Sequence, residues 1–470
     1  MIWPKRFSQI ALLFIFIVLF IHYAFFPQFI IPFEILFFGI IVTILFFIGL
    51  NYFSKKWSRV AEKSFVRKLF VTSFLLKLVF FASTLLLIFL VDPKSYPYEI
   101  GGGADSYIYH QAASEVADGL FSHDLSRVLH KWYKERADFG YPTYLGFLYH
   151  FFGKDSILIR ILSLFFSSLT VVFVFKLAKN IYGEAVGRFA GILTMLMPAL
   201  LWYDTALLKE SVMIFLIFSC LYGISEMVLS RKFRIWNIIL AVVPIFLLFY
   251  FRAFLAWMII FVAMIYFILN LSNRRISRPI VFISFMLLVA VLSISVVNSG
   301  SLEELNTMVQ KSGTQLEDEL ISSAIQRGLS FNTLGIAPLL LLGSIVTPFP
   351  SLLYFDAGQL VMVSHFFNEL VRNSLYFFAF LGIWISYKKR FSESSLILLY
   401  TLGYIFVLAV SGKSFQDRFQ LPSLPGILIL ISVGLSGGRI HFNKWKFYLI
   451  AVGIGIILWN LFKLKIRGMI

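Results

Sequence analysis

Charge is scarce in this chain, and acidic charge is scarcest. Only 14% of its 470 residues are charged, with 24 Asp and Glu against 41 Lys and Arg. Hydrophobic residues make up 59%, too much apolar surface for a domain that lives in water. Several runs exceed the ~18 apolar residues that mark a membrane crossing. These runs are continuous and lack the alternation of a transmembrane strand, which excludes a β-barrel. The single cysteine, Cys220, lies inside an apolar run. No disulfide can form within the chain, and the redox compartment is not legible. The glycine run Gly101-Gly102-Gly103 is not followed by Gly-Lys-Ser/Thr, so it is no phosphate-binding P-loop; it lets the backbone turn sharply. No small-residue cleavage site follows the first apolar run, which reads as a retained helix. No internal repeat and no low-complexity linker stands out.

What remains is an all-α polytopic membrane protein. We expect a bundle of about 13 transmembrane helices. They fall near residues 9–26, 30–50, 69–91, 156–178, 185–203, 206–229, 236–251, 253–271, 279–297, 367–387, 394–411, 421–436 and 446–462. The chain reads as one membrane domain over residues 1–470, with interfacial helices in its external loops. The 55 phenylalanines suit lipid contact and an apolar groove. The formal charge of +17 does not point to nucleic acid. The basic residues sit in short clusters between spans, among them Lys5/Arg6, Lys55/Lys56/Arg59, Arg231/Lys232/Arg234, Arg274/Arg275/Arg278 and Lys388/Lys389/Arg390. On the positive-inside rule that side is cytoplasmic. The expected setting is a bacterial cytoplasmic membrane. Lys463, Lys465 and Arg467 fall outside on this count, so the side of the C-terminus stays open.

The other face receives two long loops. The first runs from Asp92 to Asp155 and contains Gly101-Gly102-Gly103-Ala104-Asp105-Ser106-Tyr107-Ile108-Tyr109-His110. Asp105 opens an expected helix with Tyr109, Ala113, Val116 and Leu120 on one face, where it could also serve as an N-cap. The second loop, residues 298–335, carries Glu303, Glu304, Glu317, Asp318 and Glu319. Residues 336–366 are apolar but interrupted by Pro338, Pro348 and Pro350. They read as re-entrant or interfacial, because a full crossing would move the 388–390 cluster outside.

Ionisable residues collect at the external ends of several spans: Arg160, Asp204, Lys209, Glu210, Arg252, Glu369, Arg372, Lys413, Asp417 and Arg418. Such residues near hydrocarbon mark sites or pathways. Each has a plainer use. Arg160 could snorkel to the interface, and Lys209 and Glu210 could form an ordinary interfacial pair. Lys77, deep in the third span, is expected to snorkel to the cytoplasmic surface. His110, His123 and His130 are unevenly spaced, and we assign no metal to them. A divalent cation stays open, because the acidic residues between 303 and 319 could be a surface feature or a cation site.

Four stretches in order resemble the GT-C superfamily of membrane glycosyltransferases, near the bacterial protein O-mannosyltransferases and the lipid A aminoarabinose transferase. The first is Asp105-Ser106-Tyr107-Ile108-Tyr109 with Ala112-Ala113 and Asp118-Gly119. The second is Gly140-Tyr141-Pro142-Thr143-Tyr144, then Phe152-Gly153 and Arg160. The third is Tyr182-Gly183, Ala190-Gly191, Pro198 and Lys209-Glu210. The last is Asp417-Arg418-Phe419-Gln420-Leu421-Pro422 with Pro425. Together they cover roughly residues 100–215 and 340–430. Two departures stand out: two spans precede the third, where the family places its acidic loop after the first, and Ala104 occupies the position of a paired acidic residue.

The resemblance implies a polyprenyl-phosphate-linked sugar donor, a glycan, lipid or protein acceptor, the bilayer as partner, and inversion at the sugar carbon. The residues fit that chemistry. A carboxylate can take the acceptor proton, which suits Asp105. Cations can hold the leaving phosphate, which suits Arg418, Arg160, Lys209 and Arg252, with Tyr109, His110 and Glu210 in support. Two other classes compete. A polymerase or ligase of O-antigen or capsule type would rest on an external Arg/His pair without Asp105. A flippase or transporter would need midplane charges and inverted repeats.

Overall fold

The computed structural model describes residues 2–100, 104–120, 140–229, 234–271, 349–350, 352–354, 363–410, 417–436 and 442–466. The expected span at 279–297, the loop 298–335, most of 336–366, and His123, His130 and Lys413 lie outside them. The described residues form helices α1 (Lys5–Phe25), α2 (Phe33–Lys56), α3 (Glu62–Val91), α4 (Ala104–Gly119), α5 (Gly140–Phe152), α6 (Ser156–Tyr182), α7 (Glu184–Leu196) and α8 (Pro198–Asp204). These are followed by α9 (Glu210–Val228), α10 (Ile235–Leu271), α11 (Phe366–Val410), α12 (Asp417–Gln420), a 3-10 turn (Leu421–Ser423), α13 (Leu424–Ser436) and α14 (Phe442–Ile466).

Among the described residues, nine helices are long and apolar enough to cross a membrane, or ten if the bent pair α7 and α8 is one span. The bend, 53°, falls where Pro198 opens α8; proline lacks the N–H that would continue the ladder. Two helices are far longer than a bilayer needs. In α10 the backbone leaves helical geometry at Arg252, and in α11 it does so at Arg390. Even the shorter, α10, has 37 residues, which at ~1.5 Å each would span almost twice a ~30 Å hydrocarbon core, so each arm is a crossing of its own. Every crossing expected outside the undescribed residues has its helix. The chain is an integral multi-pass membrane protein.

Small residues set the closest approaches. A Cβ on Gly382 would fall 1.8 Å from the Leu430 carbonyl oxygen, and one on Gly434 would fall 2.0 Å from that of Phe378. Only glycine lets α11 and α13 touch backbone to backbone, as small residues do between membrane helices. At the other end of α10's first arm, a Cβ on Gly140 would lie 2.2 Å from the Tyr250 carbonyl oxygen. The start of α5 is thereby pressed against the chain just before the Arg252 break.

Lys77 does not snorkel. It is buried, and its Nζ lies 2.8 Å from Asp204 Oδ2 and donates to Ser167 Oγ at 2.8 Å. Asp204 Oδ1 accepts from Ser211 Oγ at 2.8 Å. A buried carboxylate offers more to an ammonium than a long reach to water does, since a charge left alone in low dielectric is costly. This relay ties α3 and α6 to the α8–α9 corner, which leads directly into Glu210.

Candidate active site

Helix α4 lies outside the spanning helices, paired with α5. Ala112, Ala113, Val116 and Ala117 form its buried face, and Tyr141, Leu145, Leu148 and Tyr149 are buried on α5. Tyr109 meets Tyr141 edge to face with ring centroids 5.1 Å apart, a geometry that suits the aromatic quadrupoles. Packing on this face fixes the helix, and its first turn then presents Asp105. The helix begins at Ala104, so Asp105 sits inside the first turn. There it suits the positive end of the helix dipole, and its side chain reaches to Arg418.

Arg418, on the single turn α12, joins two carboxylates. Its Nη1 pairs with Asp105 Oδ2. Its Nε donates to Glu210 Oε1 at 2.7 Å, and Nη2 donates to Glu210 Oε2 at 3.3 Å. The guanidinium fork therefore grips Glu210 with one edge and Asp105 with another, a use that lysine cannot copy. Exposure is graded across the trio. The Glu210 side chain is 2% exposed, Arg418 20% and Asp105 47%. The protein holds Arg418 from the buried side and leaves Asp105 open to an incoming molecule. The acidic partner that Asp105 lacks in sequence is present in space.

Arg160, at the start of α6, is buried and does not snorkel. Its Nη1 donates to the Pro97 carbonyl at 2.7 Å. Its guanidinium lies over the rings of Tyr98 and Phe81, 5.8 and 5.9 Å from their centroids. Nε and Nη2 are buried and have no hydrogen-bond partner among the described residues. A guanidinium held in this way is a ready anion site. Between Tyr98 and the glycine run lies Glu99, which sequence reasoning passed over. Burial raises its carboxyl above the usual range, while Arg418, the Ser106 hydroxyl and Arg160 pull in the opposite direction. The signal was an acidic residue in the same loop as Asp105, flanked by aromatics in Tyr96-Pro97-Tyr98-Glu99.

The other expected residues take different places. His110 Nδ1 is 2.9 Å from Tyr149 Oη, and its ring lies against Tyr98 and Tyr149. Burial lowers its pKa, and the Lys154 and Arg160 cations lower it further. It braces the aromatic wall formed by Tyr98 and Tyr149. Arg252 stacks over Phe419, the residue after Arg418, with 5.2 Å to the ring centroid. Lys209 is buried beside Glu210 at the head of α9. Among the described residues no group of three or more His, Cys, Asp or Glu side chains could hold a metal ion.

A helical membrane bundle that gathers three carboxylates and two arginines at one end is a membrane protein with a polar site at the mouth of its spans. Residues 140–298 match the dolichyl-phosphate-mannose-protein mannosyltransferase family. No curated protein matches the chain. The match supports a membrane glycosyltransferase of the GT-C type, in line with the resemblance read from the sequence. Arg160, Lys209, Glu210 and Arg252 fall within the matched stretch. Asp105 and Arg418 lie outside it and join them through folding.

Proposed function

We propose that this glycosyltransferase moves a sugar from a polyprenyl-phosphate-linked donor to an acceptor hydroxyl at the external face of a bacterial cytoplasmic membrane, with inversion. The observation that carries the reading is the shared guanidinium of Arg418, which puts an open carboxylate and a phosphate-sized cation within one contact.

Asp105 takes the proton of the acceptor hydroxyl as the acceptor oxygen forms its bond to the anomeric carbon. The bond from that carbon to the phosphate oxygen breaks on the opposite face. The leaving polyprenyl phosphate keeps the electron pair, and its new charge is met by guanidinium N–H groups. Arg160 brings two buried donors that have no acceptor among the described residues. Arg418 brings the donors that Asp105 occupies until the phosphate competes for them. Donor binding, by drawing on Arg418, also frees the Asp105 carboxylate from its contact for its task. The order follows: donor first, then deprotonation of the acceptor.

The test is a donor titration of the purified protein in nanodiscs, comparing wild type with Arg418→Lys. The lysine variant keeps the charge but loses the fork, and donor KM should rise by about tenfold or more, while acceptor KM changes little. Equal donor dependence in the two proteins would move the phosphate to another site.

A further inference from the structure

We infer that Arg372 is the positioning residue of the site: through Asp417 and Gln420 it fixes the turn from which Arg418 reaches Asp105 and Glu210. This rests on the phosphate-holding role proposed above for Arg418.

Arg372 lies in the first arm of α11 and is fully buried. Its Nη1 pairs with Asp417 Oδ1, and its Nη2 donates to Gln420 Oε1. Nε and Nη2 also donate to Tyr376 Oη, at 3.2 and 2.9 Å. Asp417 and Gln420 are three residues apart in sequence, at the two ends of α12. Residues so spaced share one side of a helical turn. Arg418, next to Asp417, departs on another side. One guanidinium thus holds both ends of a four-residue helix that is too short to hold itself.

The backbone of the same turn is pinned from α11's second arm. Tyr404 Oη donates to the Phe419 carbonyl at 2.7 Å, and Tyr400 Oη donates to that of Pro422 at 3.0 Å. These bonds fix where the turn sits. Its rotation about its own axis is then set by its side chains: Asp417 and Gln420 on Arg372, with Phe419 under Arg252. A small rotation there would carry the long Arg418 side chain off its two carboxylates. Positioning of this kind is felt at the reacting atoms even though Arg372 touches none of them.

A buried ion pair could instead serve stability alone, and the experiment separates the two. The probe is farnesyl phosphate, a short isoprenoid monophosphate, titrated onto the full chain in nanodiscs. Variants are Asp417→Asn, Tyr376→Phe and Arg418→Ala, alone and as the doubles D417N/R418A and Y376F/R418A, with Tm measured for each. Asp417→Asn keeps shape and an acceptor oxygen but removes the charge that holds Arg372. It should weaken binding by about tenfold, and Tyr376→Phe by less. In the Arg418→Ala background neither should cost more than about twofold, because contacts that act through one residue are not additive. Losses that multiply in the doubles would overturn the inference and leave Arg372 a stability residue. Wild-type binding by a folded Asp417→Asn protein, with Arg418→Ala impaired, would do the same. Wild-type binding by Arg418→Ala would instead remove the phosphate role of Arg418, and this inference with it.

Discussion

Asp105 and Glu210 meet through one side chain, the guanidinium of Arg418, although two crossings, α6 and the bent pair α7–α8, separate them along the chain. The two carboxylates are not equivalent. Glu210 is closed in and gripped at Nε and Nη2, which makes it the anchor of the arginine. Asp105 is the more exposed partner, held at Nη1 alone, which makes it the group that can change partners.

Asp105→Asn tests that division of labour. The amide keeps the size of the side chain and can still accept from Arg418, but it cannot take a proton. Transfer should fall by at least about a hundredfold, the scale of losing a general base, with Tm close to that of wild type. A structural role for Asp105 at the start of α4 predicts the reverse pattern, with near-normal turnover. Single-turnover transfer, measured beside thermal unfolding, distinguishes them.

The side of the membrane is a separate matter, and cysteine labelling addresses it. Ser106 is buried, so a cysteine there would report poorly. Its neighbour Tyr107 is 47% exposed. Tyr107→Cys should react with a membrane-impermeant maleimide added from outside intact cells. Arg59→Cys, in the basic turn after α2, should react only once the cytoplasmic side is opened. The native Cys220 is buried and supplies little background. Labelling of Tyr107→Cys from the cytoplasmic side alone would place the site opposite to the proposed donor phosphate.

The apolar runs made the helices legible, since a run of continuous hydrophobicity has few other uses in a chain of this composition. Arg252 and the 388–390 cluster likewise marked the breaks in α10 and α11. The partners of the charges were not legible. Periodicity says which face of α4 packs, but not that Arg418, far along the chain, will meet Asp105. Lys77 shows why: its stem is long enough for water or for Asp204, and only tertiary placement of the α8–α9 corner decides between them. Glu99 stayed hidden for a similar reason. Its importance comes from being enclosed near two arginines, which no local pattern announces. Arg372 was visible as one more charge at the mouth of a span, while its hold on both ends of α12 was not.

Glu99 gives a pH signature. Its carboxyl is raised in the folded protein, chiefly by burial. Between the ordinary carboxylate value and the raised one, the folded state binds more protons than the unfolded state. Stability on this account is greatest below the ordinary value and declines as pH rises through that window. Glu99→Gln mimics the protonated form and should flatten the decline. Tm measured for both proteins across that pH range provides the check. Parallel curves for wild type and Glu99→Gln would show that Glu99 titrates as an ordinary exposed acid.

The buried pair of Lys77 and Asp204 predicts a pattern of stability that snorkelling would not. Lys77→Met keeps the length and apolar stem and deletes the charge. If the ammonium reached the cytoplasmic surface, the change would be nearly neutral. In the observed arrangement it strands the buried Asp204 carboxylate, which still accepts from Ser211 Oγ. Removing one partner of a buried pair costs about 3–5 kcal/mol. The double change Lys77→Met with Asp204→Asn removes the stranded charge as well, and should recover a large part of the loss. Thermal unfolding of the two variants in one detergent measures both steps. The same pair stands at the corner that feeds Glu210, so Lys77→Met should also loosen Arg418, and donor KM should rise in the single variant and return toward wild type in the double. A destabilised single variant with no recovery in the double would mean that Lys77 supports the bundle by packing alone.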